Sequence, residues 1–149
     1  MILIAADHAG PELKRRLTAF LEARGHDYRD LGVSSTDAVD YPDLAHRVAE
    51  GVATGEARQG ILICGTGIGM SMAANRHHGV RAALCHDPLT AELARRHNDA
   101  NVLCLGARVL EPEMAERIVE VFLTTPFDGG RHQRRVDKIE TASSEGEKP

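Results

Sequence analysis

Cys64 closes the apolar run Ile61-Leu62-Ile63 and is followed at once by Gly65-Thr66-Gly67-Ile68-Gly69. A thiol at a strand end beside a helix N-terminus gains thiolate character near neutrality and can serve as nucleophile or general base. The competing reading is a buried core cysteine, the one that suits Cys104 within Val102–Leu105. The glycines let a ligand approach closely, Thr66 adds a hydroxyl, and backbone N–H groups can point at an anion or a developing oxyanion. A tight strand-to-helix turn with only a packing role is the alternative. Three glycines in five residues favour the cradle.

Asp7 and His8 follow the apolar run Ile2–Ala6 and form a second polar strand end. His97-Asn98-Asp99 closes a helical stretch, where His97 either does chemistry or simply places a cation near a helix C-terminus. That plainer role suits His77 and His78, while His26 and His46 read as surface residues. Gly129–Arg135 concentrates three arginines in an acidic chain. Helical spacing puts Arg131 and Arg135 on one face and turns Arg134 elsewhere. Two guanidinium forks suit a phosphate, and a solvated basic face is the other reading. A dinucleotide site competes for the glycine loop, because Asp87 lies about 20 residues on. Met70 in place of the third glycine, and a chain too short for a substrate domain, weigh against it.

These residues need elements to hold them. Short apolar runs at Ile2–Ala6, Tyr28–Leu31, Ile61–Cys64, Val80–Cys85 and Val102–Leu105 alternate with stretches of helical period. Pro11 opens the first helix, Asp43 is the expected N-cap of the second, and a third follows the glycine loop to about Asn75. Further helices open at Asp87-Pro88 and at Pro112, and Gly129–Ile139 forms either a last helix or an arm. The rhythm predicts an α/β fold: a three-layer, doubly wound (Rossmann-like), five-stranded parallel sheet with helices on both faces. The expected strand order is 2-1-3-4-5, with a ligand crevice between strands one and three, where Asp7-His8 meets the glycine loop.

The 149 residues include 42% hydrophobic and 27% charged, which suits one soluble domain over residues 1–140, with a polar, disordered tail at 141–149. Tryptophan is absent, so the core must rest on Ala, Val, Leu and Ile. Eighteen basic against 22 acidic residues leave a net charge of −4, without the electrostatic footprint of a nucleic-acid binder. No apolar run approaches the length of about 18 residues that spans a membrane, and Met1–Ala6 reads as a strand and not a signal peptide. Three widely spaced cysteines suggest reduced thiols in the cytoplasm.

Taken together, the motifs resemble the ribose-5-phosphate isomerase B family and its sugar-phosphate isomerase relatives. The resemblance is carried by Asp7-His8, Asp40-Tyr41-Pro42, Ile61–Gly69, Arg95–Val102, Gly106-Ala107-Arg108-Val109 and Gly129–Arg135, in order and spacing over residues 1–140. It implies an aldose–ketose isomerase acting on D-ribose 5-phosphate and D-ribulose 5-phosphate through an enediolate, in the pentose phosphate pathway. By the same resemblance Cys64 is the base, His97 assists ring opening, and Thr66 stands beside them in the catalytic set. Asp7 and Asn98 hold sugar oxygens, and Gly65, Gly67, Ile68 and Gly69 receive the enediolate oxygen. His8, Arg108, Arg131 and Arg135 hold the phosphate. The family builds its site at a homodimer interface, with dimers or tetramers both compatible, and no step requires a metal or redox cofactor. Allose or galactose 6-phosphate is the alternative substrate. A dinucleotide-binding protein or a sugar-phosphate sensor without turnover is the alternative class.

Overall fold

The computed structural model describes residues 1–141. Five strands, β1 (Ile2–Ala6), β2 (Tyr28–Asp30), β3 (Gln59–Cys64), β4 (Ala82–Leu84) and β5 (Val102–Gly106), alternate with α1 (Pro11–Ala23), α2 (Tyr41–Ala53), α3 (Ile68–Ala74) and α4 (Pro88–Asn98). Helices α5 (Pro112–Thr124) and α6 (Arg131–Asp137) complete the chain, so Gly129–Ile139 contains a helix and is not an extended arm. All strand pairs are parallel. Of the tail 141–149 read as disordered, residues 142–149 lie outside the described residues.

Period-two alternation sends Ile2, Ile4 and Ala6 to one face of the sheet, against α1, α4 and α5. Leu3 and Ala5 go to the other face, against α2 and α3. Both faces are therefore covered, which is why β1, β3 and β5 are apolar along their whole length. The core is aliphatic, as the composition requires, with Phe20 and Phe122 its buried aromatics among the described residues.

The strand order is β2-β1-β3-β5-β4, which corrects the expected 2-1-3-4-5. The physical reason lies in the two last strands. β5 is buried throughout and pairs on both sides, whereas β4 is three residues long, half-buried and directly preceded by Arg81. A strand with that composition belongs at an edge. Arg81 is tied into place there: its N–H donates to Asn101 Oδ1 (2.8 Å) and its guanidinium to the Asp99 carbonyl (2.9 Å). The reversal of winding still falls between β1 and β3, so the crevice stays where it was expected.

Helix α2 also starts earlier than expected, with Asp40 and not Asp43 as its N-cap. Pro42 sits in the first turn, where its missing N–H costs nothing.

Candidate active site

At the carboxyl edge of the sheet, β1 delivers Asp7, which is buried, and whose Oδ1 accepts the Ala9 N–H at 2.9 Å. The next residue, His8, accepts the Val39 N–H on Nδ1 (3.2 Å), which leaves Nε2 as the nitrogen free to donate. Beside them, β3 ends at Cys64. The Gly67 N–H donates to Cys64 Sγ at 3.1 Å, which fastens the sulfur to the glycine loop.

The loop that follows is held tightly. Gly67 adopts a left-handed φ of 80°, and a Cβ there would lie 3.0 Å from the Leu105 carbonyl carbon. A Cβ on Gly106 would meet the Thr66 carbonyl oxygen at 2.7 Å, so glycine at the end of β5 lets the loop close down on it. Thr66 Oγ1 accepts the Ile68 N–H at 3.2 Å, capping the turn into α3. The Arg108 N–H donates to the Gly65 carbonyl at 3.0 Å, and its guanidinium lies over Gly65. Two N–H groups of the expected cradle are therefore spent inside the loop. Those of Gly65, Thr66 and Gly69 make no hydrogen bond among the described residues and face no internal competitor.

Tyr41 is a residue the sequence reading left without a role. Its ring packs over Gly69, so close that a Cβ there would meet it at 2.6 Å. The signal was present in Asp40-Tyr41-Pro42, but nothing in that motif says that α2 begins beside the glycine loop.

The remaining residues are elsewhere. Helix α4 runs back against the strands, so His97 and Asn98, at its end, lie at the amino edge of the sheet. Eleven helical residues span about 16 Å, roughly the height of a five-residue strand. Helix α6 packs on the end of α4, stacking His132 on His97 with ring centroids 4.4 Å apart and planes within 10°. Partial burial, then His97 and Arg131, push the His132 imidazole pKa down. Arg131 and Arg135 ride on the same helix. The structure thus brings Asp7, His8, Cys64, Gly65, Thr66, Gly67, Ile68, Gly69 and Arg108 to one edge. It places His97, Asn98, Arg131 and Arg135 at the other.

Asp87 has a different task from the one a dinucleotide site would give it. It caps α4, accepting the Thr90 N–H at 2.7 Å, and that bond holds its carboxyl below the usual range. It also follows the edge strand β4, two strands from the glycine loop, whereas a dinucleotide fingerprint places its acid on the neighbouring strand. His46 is likewise no isolated surface residue, since its Nδ1 lies 2.7 Å from His77 Nε2.

The three thiols differ in a way that can be measured. Burial pushes Cys85 up to about 11 and drives Cys104, deep in β5, higher still, so both remain protonated at neutral pH. Cys64 alone combines a donor on sulfur with a place at the crevice. Iodoacetamide at pH 7.5 is expected to modify one cysteine per native chain, Cys64, by peptide mass spectrometry. Faster labelling at Cys85 or Cys104 would refute this ranking.

Residues 2–139 match the model of a family described as ribose/galactose isomerase. The chain belongs to that family. Among its relatives is ribose-5-phosphate isomerase B of Escherichia coli, 48% identical over 138 residues, which cover 93% of each chain. A crystal structure of a ribose 5-phosphate isomerase from Thermotoga maritima is 53% identical and superposes with a TM-score of 0.91, over 93% of this chain and 95% of that one. The Mycoplasma genitalium ribose-5-phosphate isomerase B, solved with bound ribulose-5-phosphate, is 48% identical with a TM-score of 0.89, covering 93% and 92% of the two chains. The resemblance read from the motifs and the α/β, Rossmann-like class are thereby established, and the chain is an isomerase. No helix among the described residues is long and apolar enough to cross a membrane.

Proposed function

We propose that this chain interconverts D-ribose 5-phosphate and D-ribulose 5-phosphate by proton transfer through an enediolate, as a pentose phosphate pathway enzyme of the cytoplasm. The observation that carries the reading is the Cys64 sulfur, held by the Gly67 N–H beside three unengaged N–H groups. Moving a proton between C1 and C2 needs a base that is active near neutrality, and a thiolate meets that need. The enediolate oxygen then requires fixed donors, which the Gly65, Thr66 and Gly69 N–H groups supply, with the Thr66 hydroxyl alongside. His8 Nε2 and Arg108 offer a proton donor and a guanidinium for phosphate, and Asp7 holds a sugar hydroxyl. Tyr41 walls the crevice over Gly69. None of these steps calls for a metal or redox cofactor.

His97, Asn98, Arg131 and Arg135 enter the same site from a second copy of the chain. Their place at the opposite edge supports this, since about 16 Å of sheet separates them from Cys64 within one chain. The exposed apolar side chains near the crevice support it too. Ile68 and Met72, four apart on α3, and Leu89 at the start of α4 present an unpartnered apolar surface of the kind a homodimer covers.

The deciding assay is conversion of D-ribose 5-phosphate to the ketose by purified protein, with and without a metal chelator. Chelator-resistant turnover is expected. Turnover confined to allose or galactose 6-phosphate would move the substrate to six carbons, and tight binding of either without turnover would leave a sensor.

His97 has its own test. Ribose 5-phosphate is mostly a closed furanose, whereas a four-carbon aldose phosphate has its terminal oxygen esterified and cannot close that ring. His97→Ala is expected to lower kcat on ribose 5-phosphate by roughly 10²-fold, with a much smaller effect on the four-carbon substrate. Equal losses on the two would assign His97 a role other than ring opening.

A further inference from the structure

Asp128, in the loop before α6, joins the stacked pair His97 and His132. One ligand atom from each of the three side chains lies within 4.8 Å of the other two. We propose that these three residues bind a first-row transition metal ion, and that the bound ion inhibits the enzyme by occupying His97. The inhibitory half rests on the role given to His97 above; the binding half does not.

The donor set is the argument. Two imidazoles and one carboxylate are the ligands Zn²⁺ takes at about 2.0–2.2 Å, in a tetrahedron that leaves one position for water. Atoms bound at that distance stand about 3.4 Å apart, so closure from 4.8 Å needs an approach of about 1.5 Å or less. The two imidazoles, stacked with planes within 10°, must also turn out of the stack so that both in-plane lone pairs meet one ion. The backbone already holds the three residues together: the Asp128 N–H donates to the Arg96 carbonyl at 3.0 Å, which fastens the loop to the end of α4. Both carboxylate oxygens of Asp128 currently receive the Arg96 Nε at 3.2 Å. That pair is partly exposed and weak, so a divalent ion can displace it. Imidazole donors favour Zn²⁺, Cu²⁺, Ni²⁺ and Co²⁺ over Mg²⁺ or Ca²⁺. An ion on the His97 ring blocks the nitrogen that would carry a proton to or from the sugar. The metal here is an inhibitor, in keeping with the chelator-resistant turnover expected above.

Untagged full-length protein titrated with Co²⁺ should develop visible d–d absorption that saturates at one ion per chain, and Zn²⁺ should abolish it. His132→Ala and Asp128→Ala should each weaken binding by on the order of tenfold or more, since removal of even an outer-shell partner costs 10–100-fold. Affinity unchanged in both variants would overturn the site, whatever the enzyme's activity. Zn²⁺ should also inhibit turnover of the wild-type chain, and His132→Ala should lose that sensitivity relative to its own metal-free rate. Saturation by metal without inhibition would overturn the link to His97 and leave the site standing. A protein that binds Co²⁺ as described yet never isomerises ribose 5-phosphate would instead refute the proposed function.

Discussion

Cys64→Ala is expected to lower kcat for ribose 5-phosphate isomerisation by roughly 10²–10⁴-fold, the contribution of a positioned general base. In free-energy terms this is about 3–5 kcal/mol of barrier. Sugar-phosphate affinity measured by calorimetry should stay within a few-fold, because the phosphate and hydroxyl contacts proposed for His8, Arg108 and Asp7 do not pass through the sulfur. Alanine also removes the acceptor of the Gly67 N–H, so the loop itself must be controlled for. Cys64→Ser supplies that control. It keeps an acceptor at nearly the same place, but a hydroxyl is a far weaker source of anion than a thiol at neutral pH, so its activity should also collapse. Loss in alanine with recovery in serine would mean that Cys64 only organises the loop. Near-normal turnover in both would remove it from the mechanism.

Much of the fold was legible because burial on both faces leaves a coarse trace. Ile2–Ala6, Ile61–Cys64 and Val102–Leu105 are unbroken apolar runs, and each is an interior strand. Strand order is a different kind of information, since it depends on which run pairs on both sides. Arg81 was the available signal that β4 sits at the edge, and chain order alone misplaced it. The start of α2 was misjudged for a local reason, a proline tolerated in its first turn. Around the site, residues joined by one loop were easy to group: Cys64 through Gly69 are consecutive, and their contacts with Gly106 and Arg108 follow from β3–β5 pairing. The stacking of His132 on His97 had no such trace, because it depends on how α6 docks on α4.

The placement of the proposed site residues at two edges of the sheet was legible in principle. In a parallel α/β fold, residues after a strand emerge at the carboxyl edge and residues after a helix at the amino edge. Cys64 follows a strand, and His97 closes a helix. No adjustment of side chains bridges the height of the sheet, so joint action on one sugar requires two chains.

That requirement has a measurable consequence. Cys64→Ala and His97→Ala, each nearly inactive alone, should regenerate activity when unfolded and refolded together in equal amounts. A hybrid dimer then holds one site with both lesions and one with neither. Hybrids make up half of a random mixture, so recovery should approach about one quarter of wild type, as two-fold symmetry dictates. Asp7→Ala provides the contrast, because Asp7 and Cys64 stand at the same edge on adjacent strands. Mixed with Cys64→Ala, it leaves one lesion in each site of the hybrid and should regenerate nothing beyond the residual rates. Recovery in both mixtures, or in neither, would contradict the two-chain site; recovery only with His97→Ala would place the two edges of neighbouring copies around one substrate.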